Sequence, residues 1–337
     1  MEIVQVNDTF VPGRGIDRVI YEVAKRMDAE ISILASSIEY DIPGAEKIEL
    51  NVRKNLHPAL WMIPRVKQYV RENNHKVFHF HHMVLNWALS APKTLCTFHG
   101  WSPHHLDRSH LFRRKMRQKF LELTARRYRL APRVTAVNSY QLPFLKKMGV
   151  SDPIHIPNGV DTNKFFPTEE DEGYMLFVGR LADQKRPEEL IRLSAEVDYP
   201  LHIVGDGPLR ETIERLKEKL DAPVSILGKI SEKKLIEEYQ QSSFFVSASR
   251  WEGMTLTVPE AYSCGKPVVV YNIPSMSEFP IGAHCANYEE MVSEVKSLIS
   301  DKKRRADIGA MGRAYALENL DWQIITDKYM ELFQLWR

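Results

Sequence analysis

The sequence predicts an α/β protein built from two parallel-sheet domains that face a central cleft. Three observations lead there. Short apolar runs alternate with helix-length amphipathic stretches from end to end, the rhythm of parallel sheets layered with helices. The runs are apolar at nearly every position, as strands covered on both faces must be. There are about ten of them, more than one open sheet comfortably carries, and 337 residues suit two domains of roughly 100–200 residues each.

Taken in order, the first half offers strands at Ile3–Val6, Ile31–Leu34, Val77–Phe80, Thr94–Phe98 and Val134–Val137. Helices are expected at Ile16–Met27, Pro64–Asn73, Leu111–Leu130 and Gln141–Met148. The second half repeats the pattern with strands Met175–Val178, Leu201–Val204, Val224–Leu227, Phe244–Ser247 and Pro267–Val270. Helices there start near Pro187, Leu209, Glu232, Leu256 and Glu289, and Ala306–Leu317 and Gln323–Trp336 close the chain. Pro157-Asn158-Gly159 signals a turn, and the acidic stretch Thr168–Gly173 reads as an exposed linker. The expected division is 1–166 and 167–320, with a last helix at about 321–337 returning to the first domain. In open α/β sheets ligands bind beyond the carboxyl ends of the strands, so functional residues are sought just after them.

Composition narrows the classes. Hydrophobic residues at 44% and charged residues at 27% describe an ordinary globular chain, not a disordered one. A net charge of +2 gives no sign of a dedicated nucleic-acid binder, and none is expected as partner. Cys96, Cys264 and Cys285 lie far apart without a CxxC pair, which suits a reducing compartment. No apolar run approaches about 18 residues, and the start, Met1-Glu2-Ile3-Val4-Gln5-Val6, reads as a strand, not a signal peptide. A cytoplasmic protein is expected.

The most informative stretch runs from Tyr174 to Pro187. A buried strand ends at Gly179, Arg180 follows at its mouth, and Lys185 precedes a helix begun by Pro187. An Arg fork and a Lys point charge can hold a diphosphate; a solvated basic loop has the same composition. After Phe244–Ser247 come Glu252 on a loop and Glu260 in a helix. A carboxylate there can accept ribose hydroxyls, or each acid can simply sit against a helix dipole or on the surface.

Gly179-Arg180…Lys185 followed by Glu252 and Glu260 resembles the donor site of retaining GT-B glycosyltransferases of family 4 (group 1). Five further segments agree in order: Gly15-Ile16-Asp17-Arg18, Thr97-Phe98-His99-Gly100, Ile156–Asp161, Ile203–Pro208 and Gly265–Val269. The resemblance implies the GT-B fold and transfer of a hexose from a UDP- or GDP-linked sugar to an acceptor hydroxyl, with retention. It assigns Arg180, Lys185 and Gly15 to the donor diphosphate and Glu260 to the ribose. Glu252 and His99 would be catalytic groups facing the donor sugar. The backbone at Gly253, Met254, Thr255 and Leu256 would contact sugar or phosphate, and Gly205, Gly207, Gly228, Lys229 and Ile230 would border the nucleobase. The chain has no Asp-x-Asp pair, so no metal and no cofactor beyond the substrate is expected; positive side chains would stabilise the leaving group.

Four departures from the family pattern stand out: Gly13-Arg14-Gly15 for a Gly-Gly opening, Asp17 for Glu, Met254-Thr255 for Phe-Gly, and a short segment after Asn272. Between Asp107 and Arg133, eight Arg and two Lys face two acids, giving +8, with apolar residues interleaved. Arg108–Arg133 is therefore a candidate contact with an anionic membrane, and a glycan or lipid-linked acceptor is expected at the inner face. A solvated basic face over a core stripe is the alternative. His79-Phe80-His81-His82 invites a metal reading, but no nearby Cys or carboxylate completes a tetrahedral set. Other readings are a nucleotide-sugar epimerase or phosphorylase on the same fold, or a non-catalytic RNA- or membrane-binding protein.

Overall fold

The computed structural model describes residues 1–50, 58–100 and 119–336. The chain divides into two compact units, Met1–Asn158 with Trp322–Arg337, and Gly159–Asp321. The seam thus falls at Asn158, eight residues before the expected 166. Contacts of the adjoining segment explain this. Val160 N donates to Leu320 O at 2.7 Å, Phe165 is fully buried against Tyr239, and Arg313 Nη1 binds the carbonyls of Thr162, Phe165 and Ser263 at 2.9–3.1 Å.

The first unit holds a seven-stranded parallel sheet of Glu2–Val6 (β1), Glu30–Ala35 (β2), Glu46–Glu49 (β3), Val77–Phe80 (β4), Thr94–Phe98 (β5), Arg133–Ala136 (β6) and Ile154–His155 (β7). Its order is β3-β2-β1-β4-β5-β6-β7. The second holds Met175–Val178 (β8), Leu201–Val204 (β9), Val224–Gly228 (β10), Phe244–Ser247 (β11), Val268–Tyr271 (β12) and Ala283–Cys285 (β13), ordered β10-β9-β8-β11-β12-β13. In each sheet the chain starts at an interior strand, builds outward on one side, then returns to the other. Order therefore reverses between β1 and β4 and between β8 and β11. Loops leaving the carboxyl ends diverge at such a point and open a crevice.

The three strands missing from the sequence reading, β3, β7 and β13, are all sheet edges. An edge strand is not sandwiched on both sides, and Glu46-Lys-Ile-Glu49, Ile154-His155 and Ala283-His-Cys285 lack the apolar run that marks the interior ones. The second helix begins at Pro58, not Pro64, and carries Pro64 inside it. The expected helix Leu111–Leu130 is helical over 119–125 and tightens to a 3-10 turn at Arg126–Leu130; 111–118 lie outside the described residues.

One face of the first sheet is apolar, with Val4, Val6, Phe78, Phe80, Cys96 and Phe98 in a single core. The other carries buried polar groups at the alternate positions Gln5, His79, Thr97 and Thr135. The C-terminal helix Trp322–Gln334 covers them. Tyr329 and Phe333 lie 5.2 and 5.5 Å from the His79 ring, and the Tyr329 hydroxyl bonds Thr97 and Thr135. A polar ladder inside a sheet needs partners, and this helix supplies them.

Candidate functional site

In the second unit, the reversal point between β8 and β11 is where the candidate residues collect. Arg180 follows β8, is exposed, and has no ion-pair partner among the described residues. Lys185 Nζ lies 2.5 Å from Glu252 Oε1, in the loop after β11, with side chains 15% and 7% exposed. Gln184 Nε2 holds the same loop, donating to Trp251 O at 2.9 Å and Glu252 Oε2 at 3.4 Å. Gln184 carried no signal in the sequence; its role follows from the position of the loop.

Arg186 sits in the left-handed region at φ 46°, and its Nε donates to Ala248 O at 2.8 Å. This anchors the turn that aims Lys185. Beyond Glu252, the helix Thr257–Ser263 begins one residue later than expected. Thr255 Oγ1 accepts from Thr257 N at 3.3 Å and bonds Thr257 Oγ1 at 2.8 Å. The threonine that replaces a family glycine thus makes a local turn bond to the first residue of the helix. The amides of Gly253, Thr255 and Leu256 have no backbone partner among the described residues, while Met254 is buried. Glu260 is also buried, 3% exposed, and accepts from Tyr239 Oη at 2.9 Å.

Gly205 and Gly207 follow β9, the neighbour of β8, and Gly228 ends β10, one strand further out, with Lys229 and Ile230 after it. A Cβ on Gly205 would stand 2.0 Å from Gly179 O, and one on Gly207 2.4 Å from Leu181 O. These glycines let the β9 loop press against the β8 loop, with Gly179 N donating to Val204 O and Gly205 N to Gly228 O. Lys229 is exposed.

In the first unit, the loop after β1 is built around Asp17. This fully buried carboxylate accepts from Asn7 Nδ2 (2.7 Å), Thr9 Oγ1 (2.8 Å) and Val11 N (2.9 Å). Burial nonetheless raises its pKa above the ordinary value. The shorter Asp in place of Glu fits because the loop donors come to it. Gly13, at φ +85°, makes the turn, and Gly15 opens the helix Gly15–Ala24 with free space where a Cβ would stand. Arg14 pairs with Asp8 at 3.3 Å.

His99 follows β5, and its Nε2 lies 3.0 Å from His81 Nδ1, in the loop after β4. His81 Nε2 is 2.7 Å from Gln5 Oε1, and His79 Nε2 is 2.7 Å from Thr97 Oγ1. Burial holds His79 and His81 well below the ordinary 6.5 and, with the charge of His82 adding, lowers His99 to about 3. His79, His81 and His99 are thus neutral and hydrogen-bonded. Among the described residues no group of three His, Cys, Asp or Glu is placed to hold a metal ion. Gln5 and His81 were not singled out from the sequence as partners of His99; β1 and β4 being neighbours is what joins them.

No helix among the described residues is long and apolar enough to cross a membrane. Of Arg108–Arg133, 108–118 lie outside the described residues. In the rest, Phe120, Leu123 and Leu130 are exposed beside exposed Lys119, Arg126 and Arg129, and Arg127 stacks 5.0 Å from the Trp87 ring.

Comparison with known proteins places these features. The family described as glycosyl transferases group 1 matches residues 160–315, and glycosyltransferase family 4 matches 13–164. A GDP-mannose-dependent monoacylated alpha-(1-6)-phosphatidylinositol monomannoside mannosyltransferase of Corynebacterium glutamicum is 26% identical over 60% of this chain and 61% of its own. A related mannosyltransferase of Mycolicibacterium smegmatis is 27% identical over 59% and 61%. The chain spans about half to three fifths of the length of the curated relatives it matches. Among solved structures, sucrose-phosphate synthase of Thermosynechococcus elongatus superposes with a TM-score of 0.84 at 17% identity, covering 99% of this chain and 98% of that one. Anabaena HepE in complex with UDP-glucose gives 0.79 at 18%, covering 99% and 100%. The chain belongs to the group 1 glycosyltransferases of the family 4 type, with two parallel-sheet α/β units in the GT-B fold.

Proposed function

We propose that this protein transfers a hexose from a UDP- or GDP-linked donor to an acceptor hydroxyl, with retention and without a bridging metal or other cofactor. The observation that carries the reading is the grouping of Arg180, Lys185 and Glu252 at the reversal point of the second sheet. A nucleoside diphosphate gains negative charge as the glycosidic bond breaks. Arg180 and Lys185 offset that charge as fixed cations. Glu252 holds Lys185 in place before the donor arrives and then meets hydroxyls of the sugar. Glu260 takes the ribose, and the amides of Gly253 to Leu256 take phosphate or sugar oxygens. Gly205, Gly207, Gly228, Lys229 and Ile230 border the base.

From the first unit, Gly15 leaves room for the donor and His99 meets the sugar. The acceptor oxygen bonds the anomeric carbon on the face from which the diphosphate departs. The hydroxyl proton passes to the departing phosphate oxygen, so no covalent enzyme intermediate forms. The acceptor is a glycan or lipid-linked sugar at the inner membrane face. The exposed Phe120, Leu123 and Leu130 among basic residues favour that surface, as do relatives whose names specify phosphatidylinositol mannosides.

The test is a thermal-shift panel of nucleotides followed by a donor–acceptor screen. A rise with UDP or GDP that disappears in Lys185→Ala, and nucleotide release that requires an acceptor, support transfer. Epimerised sugar without an acceptor, or tight RNA binding with no nucleotide response, overturns it. Flotation with anionic liposomes at low salt tests the membrane part, which fails if the protein stays at the bottom.

A further inference from the structure

The orientation of His99 is set by a chain of hydrogen bonds that begins at Met27. A thioether sulfur offers lone pairs and no proton, so the Gln5 group facing Met27 Sδ at 3.6 Å is the amide N–H. The amide oxygen therefore faces His81, and Oε1 accepts from His81 Nε2–H at 2.7 Å. A neutral imidazole carries one proton, which leaves His81 Nδ1 bare. The contact at 3.0 Å is then donated by His99 Nε2–H, and His99 Nδ1 is left as an acceptor. That atom has no partner among the described residues, and His99 is partly exposed. Gln5 is 1% exposed and His81 4%, so water does not compete for these two inner links of the chain.

We propose that Gln5 and His81 are positioning residues that lock His99 in its Nε2–H tautomer and present Nδ1 as a hydrogen-bond acceptor to a sugar hydroxyl. The ligand class rests on the glycosyltransfer reading; the tautomer does not. His99 then selects a hydroxyl proton and disfavours a bare phosphate oxygen, to which a lone pair would be repulsive. Arginine and lysine serve the phosphates in the second unit, so the two units present opposite hydrogen-bonding characters.

The experiment has two arms. Long-range 15N–1H correlation spectra of the histidine-labelled full chain report which ring nitrogen of His99 bears the proton, with no substrate present. Nε2–H with bare Nδ1 is expected; Nδ1–H overturns the proposal. The second arm compares kinetics of Gln5→Met and Gln5→Glu. Gln5→Met removes the acceptor and frees the relay. In Gln5→Glu, burial disfavours a lone carboxylate, so the pair keeps one proton more than the wild-type pair; it is donated by the carboxyl to His81 Nε2 or charges His81, and either reverses the relay. Both variants are expected to lower kcat roughly tenfold or more while KM for the donor changes little, and Gln5→Glu moves the His99 proton to Nδ1. Wild-type kcat in a variant whose tautomer has moved overturns the positioning role. If Gln5→Met fails to fold, Gln5→Glu and the wild-type spectrum still decide. Should the wild type transfer no sugar at all, the functional reading fails while the tautomer is still measured.

Discussion

Lys185 Nζ stands 2.5 Å from Glu252 Oε1, joining the loop after β8 to the loop after β11 across the point where the sheet order reverses. Both side chains are mostly removed from water, so each charge relies on the other. Removing one leaves a partly buried charge unpaired. Lys185→Ala and Glu252→Ala are each expected to cost about 2–4 kcal/mol in urea unfolding, and the double variant less than their sum by about 1–3 kcal/mol. Additive single costs would mean the two groups do not stabilise each other.

The glycines separate into two kinds, and substitution distinguishes them. Gly205→Ala puts a methyl 2.0 Å from a backbone oxygen and should cost at least about 3 kcal/mol. Gly15→Ala meets open space, so stability should stay within about 0.5 kcal/mol while donor turnover falls roughly tenfold. Equal thermal midpoints for wild type and Gly205→Ala would contradict the packing of the β9 loop on the β8 loop.

Acid sensitivity follows from the histidines of the first unit. Their folded pKa values lie below the unfolded 6.5, so below that pH the unfolded chain binds more protons than the folded one. Stability is full above about 6.5 and falls as pH drops, continuing toward about 3 for His99. Each neutral histidine contributes a slope of about 1.4 kcal/mol per pH unit, so two or three give roughly 3–4. His79→Gln should reduce the slope by one proton. Urea midpoints between pH 7.5 and 5 read this directly, and a flat profile would mean that the imidazoles take up protons equally in the folded and unfolded chain.

The interior strands were legible because burial on both faces leaves only apolar residues at Met175–Val178 or Phe244–Ser247. Three of the four edges were not, since Glu46–Glu49, Ile154–His155 and Ala283–Cys285 keep water or loop on one side. Arg180 and Lys185 could be found by looking just past the end of a buried strand. The Lys185–Glu252 pair could not, because nothing local says that β8 and β11 are neighbours. The histidine run was visible as chemistry without a purpose. Its meaning depends on Gln5, 76 residues from His81, and on the register that sets Gln5 beside His79. Gly205 and Gly207 read as a loose turn, whereas their lack of side chains is used on the backbone of Gly179 and Leu181.

The most direct measurement is titration calorimetry of UDP and GDP into chelator-treated protein, beside the Arg180→Ala/Lys185→Ala double variant. Binding by the wild type that is lost in the double variant is the expected result. Binding that needs added magnesium or manganese, or that persists undiminished without the two cations, would contradict a diphosphate held by side chains alone.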